Sequence, residues 1–408
     1  MLNIAAVITL AGVSALGPNP TAQTPPQTQP DTPTFQVISD TEIIADGHTF
    51  NSWNELHASG YFGFEDTRCG TLPLIDPAGD VARGGGSDCS FNRTIIQPEY
   101  DPIVAKYRIP VVVHIIQSSN GTGAMPDSRA ISQIEILNED FQALAGSNGA
   151  PGNDGQIEFY LATEDPDGNP TTGITHSTNT TWFNDGGGYY NTLAWDTNRY
   201  LNIYTNNGGG ALGYVPDLPQ GGIAGSNFDR VVILYSTFGR NAPFSPFNLG
   251  RTVTHEVGHY LGLFHTFNNG CGTSSCYTTG DRICDTNAES SPTFGCPGNR
   301  SSCGGQAPFH NYMDYSDDRC MNQFTVEQNN RMRCSLINYR PDLYTIAGPS
   351  GCSDADFAEP FDTLNFFDVA AFLTAFTNQE SAADLDNNGD WNFFDIGAFL
   401  TIYSEGCP

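Results

Sequence analysis

The stretch HEVGHYLGLFH, residues 255–265, holds three of the eight histidines in a chain of 408 residues. His255 and His259 stand four apart, so on a helix their imidazoles lie on one face, a turn apart. Glu256 sits at the edge of that face, where it can hydrogen-bond a metal-bound water. Gly262 lets the backbone turn where a side chain would be strained, and His265 can then swing back as a third ligand. The pattern demands a helix that stops abruptly and a chain that folds back over its end. Three neutral imidazoles leave one zinc position open for water, the arrangement of a catalytic rather than a structural site. Five fixed residues in one register argue against incidental helix histidines.

Composition narrows the partners and the compartment. The formal charge is −29, from 45 acidic and 16 basic residues, which argues against nucleic acid or an anionic membrane as the main partner. Part of the acidity is a solvated surface; part can serve calcium, which prefers carboxylate oxygens. The first 23 residues carry an apolar run too short to span a bilayer. Val13 and Ala15 fit signal-peptide cleavage after Ala15, although no early Lys or Arg precedes the run. No other stretch is long and apolar enough for a membrane span, so an exported, soluble protein is expected. Eleven cysteines, with no CxxC pair, agree with export and with disulfides rather than a zinc ribbon. Seven of them crowd residues 271–334, and the odd total leaves one thiol over.

Along the chain, 1–15 reads as the signal peptide and 16–100 as a disordered segment and prosegment. Residues 21–34 are Pro, Gln and Thr with little to bury. FNSWNELHASGYF suggests a short helix, and the glycine-rich stretch after it suggests a proteolysis site. The folded body is expected over 101–345. YRIPVVVHIIQ reads as a buried strand. In the segment after it, Ile131, Ile134, Leu137, Phe141 and Leu144 recur at helical spacing. IEFYLAT, YLNIYTN and RVVILYS read as further strands, giving a mixed sheet backed by helices. After residue 270, turns and cysteines dominate. Residues 346–408 form a separate acidic, Phe-rich tail.

RTVTHEVGHYLGLFHTF, GDRICDTN and NYMDYSDDRCMNQFTVEQNNRM together resemble the pappalysin family of metzincin metalloproteases, whose extended H-E-x-x-H-x-x-G-x-x-H pattern is followed by a Met-turn. The similarity runs from about residue 107 to 336. It implies an α+β catalytic domain: a twisted mixed sheet with an active-site helix above, an irregular subdomain below, and zinc between, held by His255, His259 and His265. It implies that Met313 is the Met-turn residue beneath the imidazoles and Tyr315 a stabiliser of the oxyanion. Glu256 is then the general base. It also implies a calcium loop with side-chain oxygens of Asp281 and Thr286 and the carbonyl of Cys284, although Asn287 and Cys284 depart from the family's usual residues. Asp318 matches a family position that favours Arg or Lys after the cut. TRCGT, residues 67–71, resembles a prosegment motif whose cysteine, here Cys69, closes the open zinc position until cleavage between residues 70 and 107, after Arg83 or Arg93. The competing reading is a Cys69–Cys89 disulfide.

The tail contains a repeat: LNFFDVAAFLTAF (364–376) and WNFFDIGAFLTIY (391–403). Counting from Asp384 as the first position, Asp386, Asn388, Asp390 and Asp395 fall at 3, 5, 7 and 12, the ligand spacing of an EF-hand loop. The pair resembles a small all-α dockerin module. In the first copy Ala358 and Pro360 replace ligands, so only the second is expected to bind calcium. Its two helices are expected to face each other through their Phe-rich sides, with Cys352 and Cys407 bridged at the ends. Two function classes follow. One is a secreted zinc endopeptidase, made as a zymogen, acting on proteins or peptides, with a tail that engages a surface or scaffold partner. The other is a calcium-dependent docking protein with a dead protease-like body. The intact Glu256 favours the first.

Overall fold

A computed structural model describes residues 35–63, 65–71, 89, 106–272, 276–277, 279–347, 353–358, 363–385 and 388–407. The expected signal peptide, the proposed cleavage sites, Cys352 and Asp386 lie outside the described residues.

The chain opens with a three-stranded antiparallel meander, β1 (Gln36–Ser39), β2 (Glu42–Ala45) and β3 (His48–Phe50), followed by α1 (Trp53–Ala58) and the short α2 (Glu65–Arg68). The helix expected from FNSWNELHASGYF is therefore present, whereas the three short strands before it were not anticipated. Asp40 explains why they persist: its Oδ1 accepts from Trp53 Nε1 at 2.9 Å and from the Tyr235 hydroxyl at 2.6 Å. One carboxylate thus ties the N-terminal meander to the central body.

That body is built on β4 (Lys106–Gln117), whose run of β-branched residues is buried almost throughout. After α3 (Asp127–Phe141) come β5 (Ile157–Leu161), β6 (Ile174–Thr178), α4 (Thr180–Phe183), α5 (Tyr190–Leu193), β7 (Leu201–Asn206), β8 (Gly213–Tyr214) and β9 (Val231–Leu234). β4 pairs in parallel with β5, β6 and β7, and β7 pairs in parallel with β9. β8 pairs antiparallel with β9 and ends the order β12-β4-β7-β9-β8, where β12 is Thr345–Ala347. The sheet is mixed, as expected. β6 and β8 escaped the reading because one is half-exposed and the other only two residues long.

α6 (Arg251–Tyr260) lies beneath the sheet with all ten residues buried. Below it the chain is irregular, with only the hairpin β10 (Ser301–Ser302) and β11 (Gly305–Gln306) among the described residues before α7 (Val326–Tyr339). Disulfides replace a regular core there: Cys271–Cys303, Cys276–Cys284 and Cys296–Cys320, with Cys89–Cys334 joining the N-terminal segment to α7. The alternative Cys69–Cys89 bridge is thereby corrected: Cys89 is taken by Cys334 and Cys69 is free.

The tail forms α8 (Phe366–Thr377) and α9 (Phe393–Glu405), each with an Asn/Asp capping box, Asn365 with Asp368 and Asn392 with Asp395. The helices meet through Phe372 and Phe399, whose rings stack 4.0 Å apart. The expected packing through the Phe-rich sides rests on these two rings and does not extend to the paired phenylalanines. Phe366, Phe367, Phe393 and Phe394 are 62–77% exposed, because the capping boxes set them on the first turn, facing outward. Cys407 is disulfide-bonded.

Candidate active site

Two networks place α6. At its start, Asp318 Oδ2 accepts the backbone N–H groups of Leu249 (2.8 Å) and Arg251 (3.3 Å), meeting the positive end of the helix with a carboxylate. On its flank, buried Asp140 on α3 forms an ion pair with the Arg251 guanidinium at 3.0 Å and accepts from the Thr254 hydroxyl at 2.6 Å and the Tyr312 hydroxyl at 2.8 Å. α3, α6 and the turn carrying Met313 are locked to one another through a single side chain. None of Asp140, Arg251 or Tyr312 was legible as a site residue, because their partners are far apart in sequence.

The helix stops as its sequence demands. Gly262 has φ +94°, and a Cβ there would lie 2.5 Å from Ser335 Oγ. His265 returns to the face of His255 and His259. The three Nε2 atoms lie 2.9–3.2 Å from one another. His255 Nδ1 bonds the Tyr312 carbonyl at 2.6 Å and His259 Nδ1 that of Leu263 at 2.8 Å. A carbonyl only accepts, so each Nδ1 carries the hydrogen and each Nε2 turns a lone pair inward. Burial holds all three imidazoles below their usual pKa and hence neutral. Inward lone pairs at this separation repel unless a cation lies among them, so the donor set fits a zinc ion.

Met313 is fully buried, and a Cβ on Gly258 would lie 2.5 Å from its sulfur. The floor under the imidazoles therefore requires a glycine in the helix, the second glycine of the motif and one not singled out from sequence. Tyr315 brings its hydroxyl to 3.2 Å from His265 Nε2. Glu256 is fully buried; burial raises its carboxyl to about 8. β8 crosses directly above it, since a Cβ on Gly213 would meet Glu256 Cγ at 2.8 Å.

Cys69 closes the constellation. Its sulfur and the three imidazole nitrogens lie within 4.8 Å of one another, all buried. Glu256 Oε2 accepts from the Thr71 hydroxyl at 3.1 Å and from the Cys69 thiol at 3.6 Å. Both residues come from the segment before the catalytic body.

The other candidate residues lie apart from this cleft. Asp281 is buried, accepting from Thr286 Oγ1 at 2.6 Å and the Ile283 N–H at 3.2 Å; burial raises its carboxyl to about 7. Cys284 donates its N–H to Glu327 at 2.7 Å. In the tail, Asp384 accepts from the N–H groups of Asn388 and Gly389, and Asn388 Oδ1 from the N–H of Asp390. Asp395 accepts the N–H groups of Leu385 and Asn392. The carboxylates already organise the loop's backbone.

A buried three-histidine cluster with an adjacent glutamate, a methionine floor and an edge strand above defines a metzincin-type metallopeptidase. Residues 189–337 match the family described as Pregnancy-associated plasma protein-A, peptidase M43. An extracellular metalloprotease of Colletotrichum graminicola is 38% identical over 246 residues, covering 58% of this chain and 78% of the relative. One from Verticillium alfalfae is 35% identical over 291 residues, covering 67% and 91%. Among solved structures, a mutant of Tannerella forsythia promirolysin superposes with a TM-score of 0.53 at 36% identity, covering 60% of this chain and 86% of that one. Mirolysin in complex with a compound gives 0.52 at 37%, covering 59% and 96%. The chain belongs to the pappalysin (M43) family and is a zinc metalloendopeptidase. Its relatives are extracellular enzymes, in keeping with secretion, and no helix among the described residues is long and apolar enough to cross a membrane. The docking-protein alternative is not favoured.

Proposed function

We propose that this protein is a secreted endopeptidase made in latent form, with His255, His259 and His265 as zinc ligands and Glu256 as general base. The convergence of three inward Nε2 atoms beside a buried Glu256 carries the reading. Zinc, when bound, supplies a Lewis acid that polarises the scissile carbonyl and lowers the pKa of water from about 15.7 toward about 7. The extended substrate pairs with the edge of β8 once residues 67–71, which hydrogen-bond along it, have left, and its backbone then lies over Glu256. Glu256 takes the proton of the attacking water and hands it to the leaving amine. The Tyr315 hydroxyl, beside His265, donates to the oxyanion.

Latency comes from Cys69, whose sulfur sits among the three imidazoles while Thr71 holds the base. Release then follows a cut after residue 71. A cut after Arg83 would leave the new end tied to α7 through Cys89–Cys334.

Asp318 gives the cleft a preference for Arg or Lys after the cut. Its Oδ1 is buried and accepts no hydrogen bond, while Oδ2 is committed to the start of α6. Calcium is held by Asp281, Thr286 and the Cys284 carbonyl in the body. In the tail it is held by Asp384, Asp386, Asn388, Asp390 and Asp395. The tail, a dockerin-like module, offers the paired phenylalanines to a surface or scaffold partner.

The test of the central reading is metal content with peptidase activity. His265→Ala should lose bound zinc. Glu256→Gln should keep it and lose activity; a Glu256→Gln protein that cleaves like wild type would refute the assignment.

A further inference from the structure

β8 has little pairing of its own to hold it. Its two residues meet β9 at Gly213–Ile233 and Tyr214–Val232. The connection from β7 runs through Gly208, Gly209 and Gly210, all at positive φ, and such a loop has much backbone freedom to lose. From below, however, the strand is placed closely. A Cβ on Gly213 would lie 2.8 Å from Glu256 Cγ and 3.1 Å from Thr252 Cγ2. The backbone of β8 rests on the base itself and cannot sink further.

Successive residues of a strand face opposite sides, so Tyr214 holds β8 from the face away from Glu256. Its hydroxyl lies 3.0 and 2.8 Å from the two carboxylate oxygens of Asp185, to which it donates. The same hydroxyl accepts from Arg230 Nη2 at 3.4 Å. Arg230 stands just before β9, with its guanidinium carbon 4.0 Å from the centre of the Tyr190 ring. A phenol set between a cation and an anion is held by charge-assisted bonds on both sides.

Asp185, just after α4, also grips the other end of the connection. It accepts from Nδ2 of Asn206, the last residue of β7, at 2.9 Å and from the Tyr189 hydroxyl at 2.7 Å. Asn206 Oδ1 in turn accepts the Gly208 N–H at 2.7 Å. Gly209 packs against the carboxylate, where a Cβ would lie 2.8 Å from Oδ2. One carboxylate thus closes the loop from β7 to β8 by joining its two ends. The central sheet has its own support, since β7 and β9 pair directly from Ile203–Val231 to Asn206–Leu234. What the clamp adds is the position of the edge.

We propose that Asp185 is a positioning residue for proteolysis: through the Tyr214 hydroxyl it fixes the height of β8 over Glu256, and with it the backbone of the bound substrate. The inference rests on the reading that the substrate pairs with β8. A displacement of about 1 Å between base and scissile bond can cost about a hundredfold in rate, so a strand that only two residues pair to the sheet needs such a hold.

The experiment compares two peptides with the same scissile bond on the activated chain, one with four residues on each side of the cut and one with a single blocked residue on each side. The ratio of their kcat/KM values is taken within one sample, so protein that is unfolded or lacks metal cancels. For wild type the longer peptide should be favoured by at least about a hundredfold. Tyr214→Phe, which keeps the ring and loses the hydroxyl, and Asp185→Ala should each lower that ratio at least about tenfold. Asp185→Asn, which keeps an acceptor for the hydroxyl, should retain more of it than Asp185→Ala. The double variant Asp185→Ala with Tyr214→Phe should lose no more than Asp185→Ala alone, because the two act along one path. A wild-type ratio in Tyr214→Phe, equal ratios for Asp185→Asn and Asp185→Ala, or losses that multiply in the double variant would each overturn the proposal. A wild-type enzyme indifferent to peptide length would sink the β8 pairing and the positioning role together. Strong length dependence that both single variants preserve would sink only the role of Asp185.

Discussion

The catalytic cleft and the C-terminal tail each carry a metal-binding sequence pattern, and they are built in opposite ways. In the cleft, a pattern of eleven consecutive residues is held by groups scattered over the chain. The Tyr312 carbonyl orients His255, Met313 fills the space beside Gly258, Asp140 joins three elements, and Asp318 caps the helix. In the tail, each partner in the loop lies within about a dozen residues, and its carboxylates bond the nearest backbone N–H groups. A site assembled from distant parts is rigid and buried, at the cost of depending on the whole fold. A local loop can form, fail or be lost in one copy while its neighbour helix persists, as the capped α8 shows.

That contrast can be broken at several points. The largest effect is expected at Glu256: Glu256→Gln should lower kcat by about 10²–10⁴-fold with thermal midpoint and zinc content unchanged. A parallel loss of stability would mean that the side chain holds the cleft together rather than moving protons.

Next comes the pH dependence of the catalytic body. His114, buried in β4, bonds Thr175 and Asn202 and stacks on Tyr204. Burial lowers its pKa from 6.5 to about 4, only partly offset by the bond to Asn202. The unfolded chain therefore binds a proton below about pH 6.5 that the folded chain refuses until about pH 4. Stability from this group is complete above pH 6.5 and falls as the pH drops through that window. The loss reaches about 3 kcal/mol at about 1.4 kcal/mol per pH unit. Urea melts of wild type and His114→Asn between pH 4 and 7 measure it: the variant's slope should be shallower by that amount, and identical slopes would discount the histidine.

Gly258→Ala should cost about 1–3 kcal/mol and lower zinc affinity, because the new methyl must displace the Met313 sulfur. Gly258→Ala with Met313→Ala should recover part of the stability; no recovery would show that the contact is not what limits the site.

The effect most confined to one region, and the smallest on activity, belongs to the tail. Calcium should raise its melting transition, by about 2.7 kcal/mol at a hundred times Kd. Asp384→Ala should abolish that gain, and Asp356→Ala, in the first copy whose ligands Ala358 and Pro360 replace, should leave it, with peptidase activity unaltered in both. Equal calcium stabilisation of wild type and Asp384→Ala would reduce the loop to an acidic turn.

What the sequence by itself determined is what depends on neighbours along the chain. Helical spacing put His255 and His259 on one face, and Gly262 marked the turn. The β-branched run of 106–117 was legible as a strand, and the repeat in the tail was legible as two helices with equivalent caps. The family resemblance carried Met313 and Tyr315 to the cleft. Tertiary structure alone decided which atoms meet across the chain. It chose Cys334 over Cys69 as the partner of Cys89, and left the Cys69 thiol among the imidazoles. It tied Tyr214 to Asp185, and made β8, two residues long, the edge above Glu256. It turned the paired phenylalanines of the tail outward, although hydrophobicity argued for burial. The physical reason is common to all of these. Spacing along a helix or strand is set by local backbone geometry, whereas a disulfide, a buried ion pair or a pocket wall depends on chain closure over tens to hundreds of residues. No local periodicity records that closure.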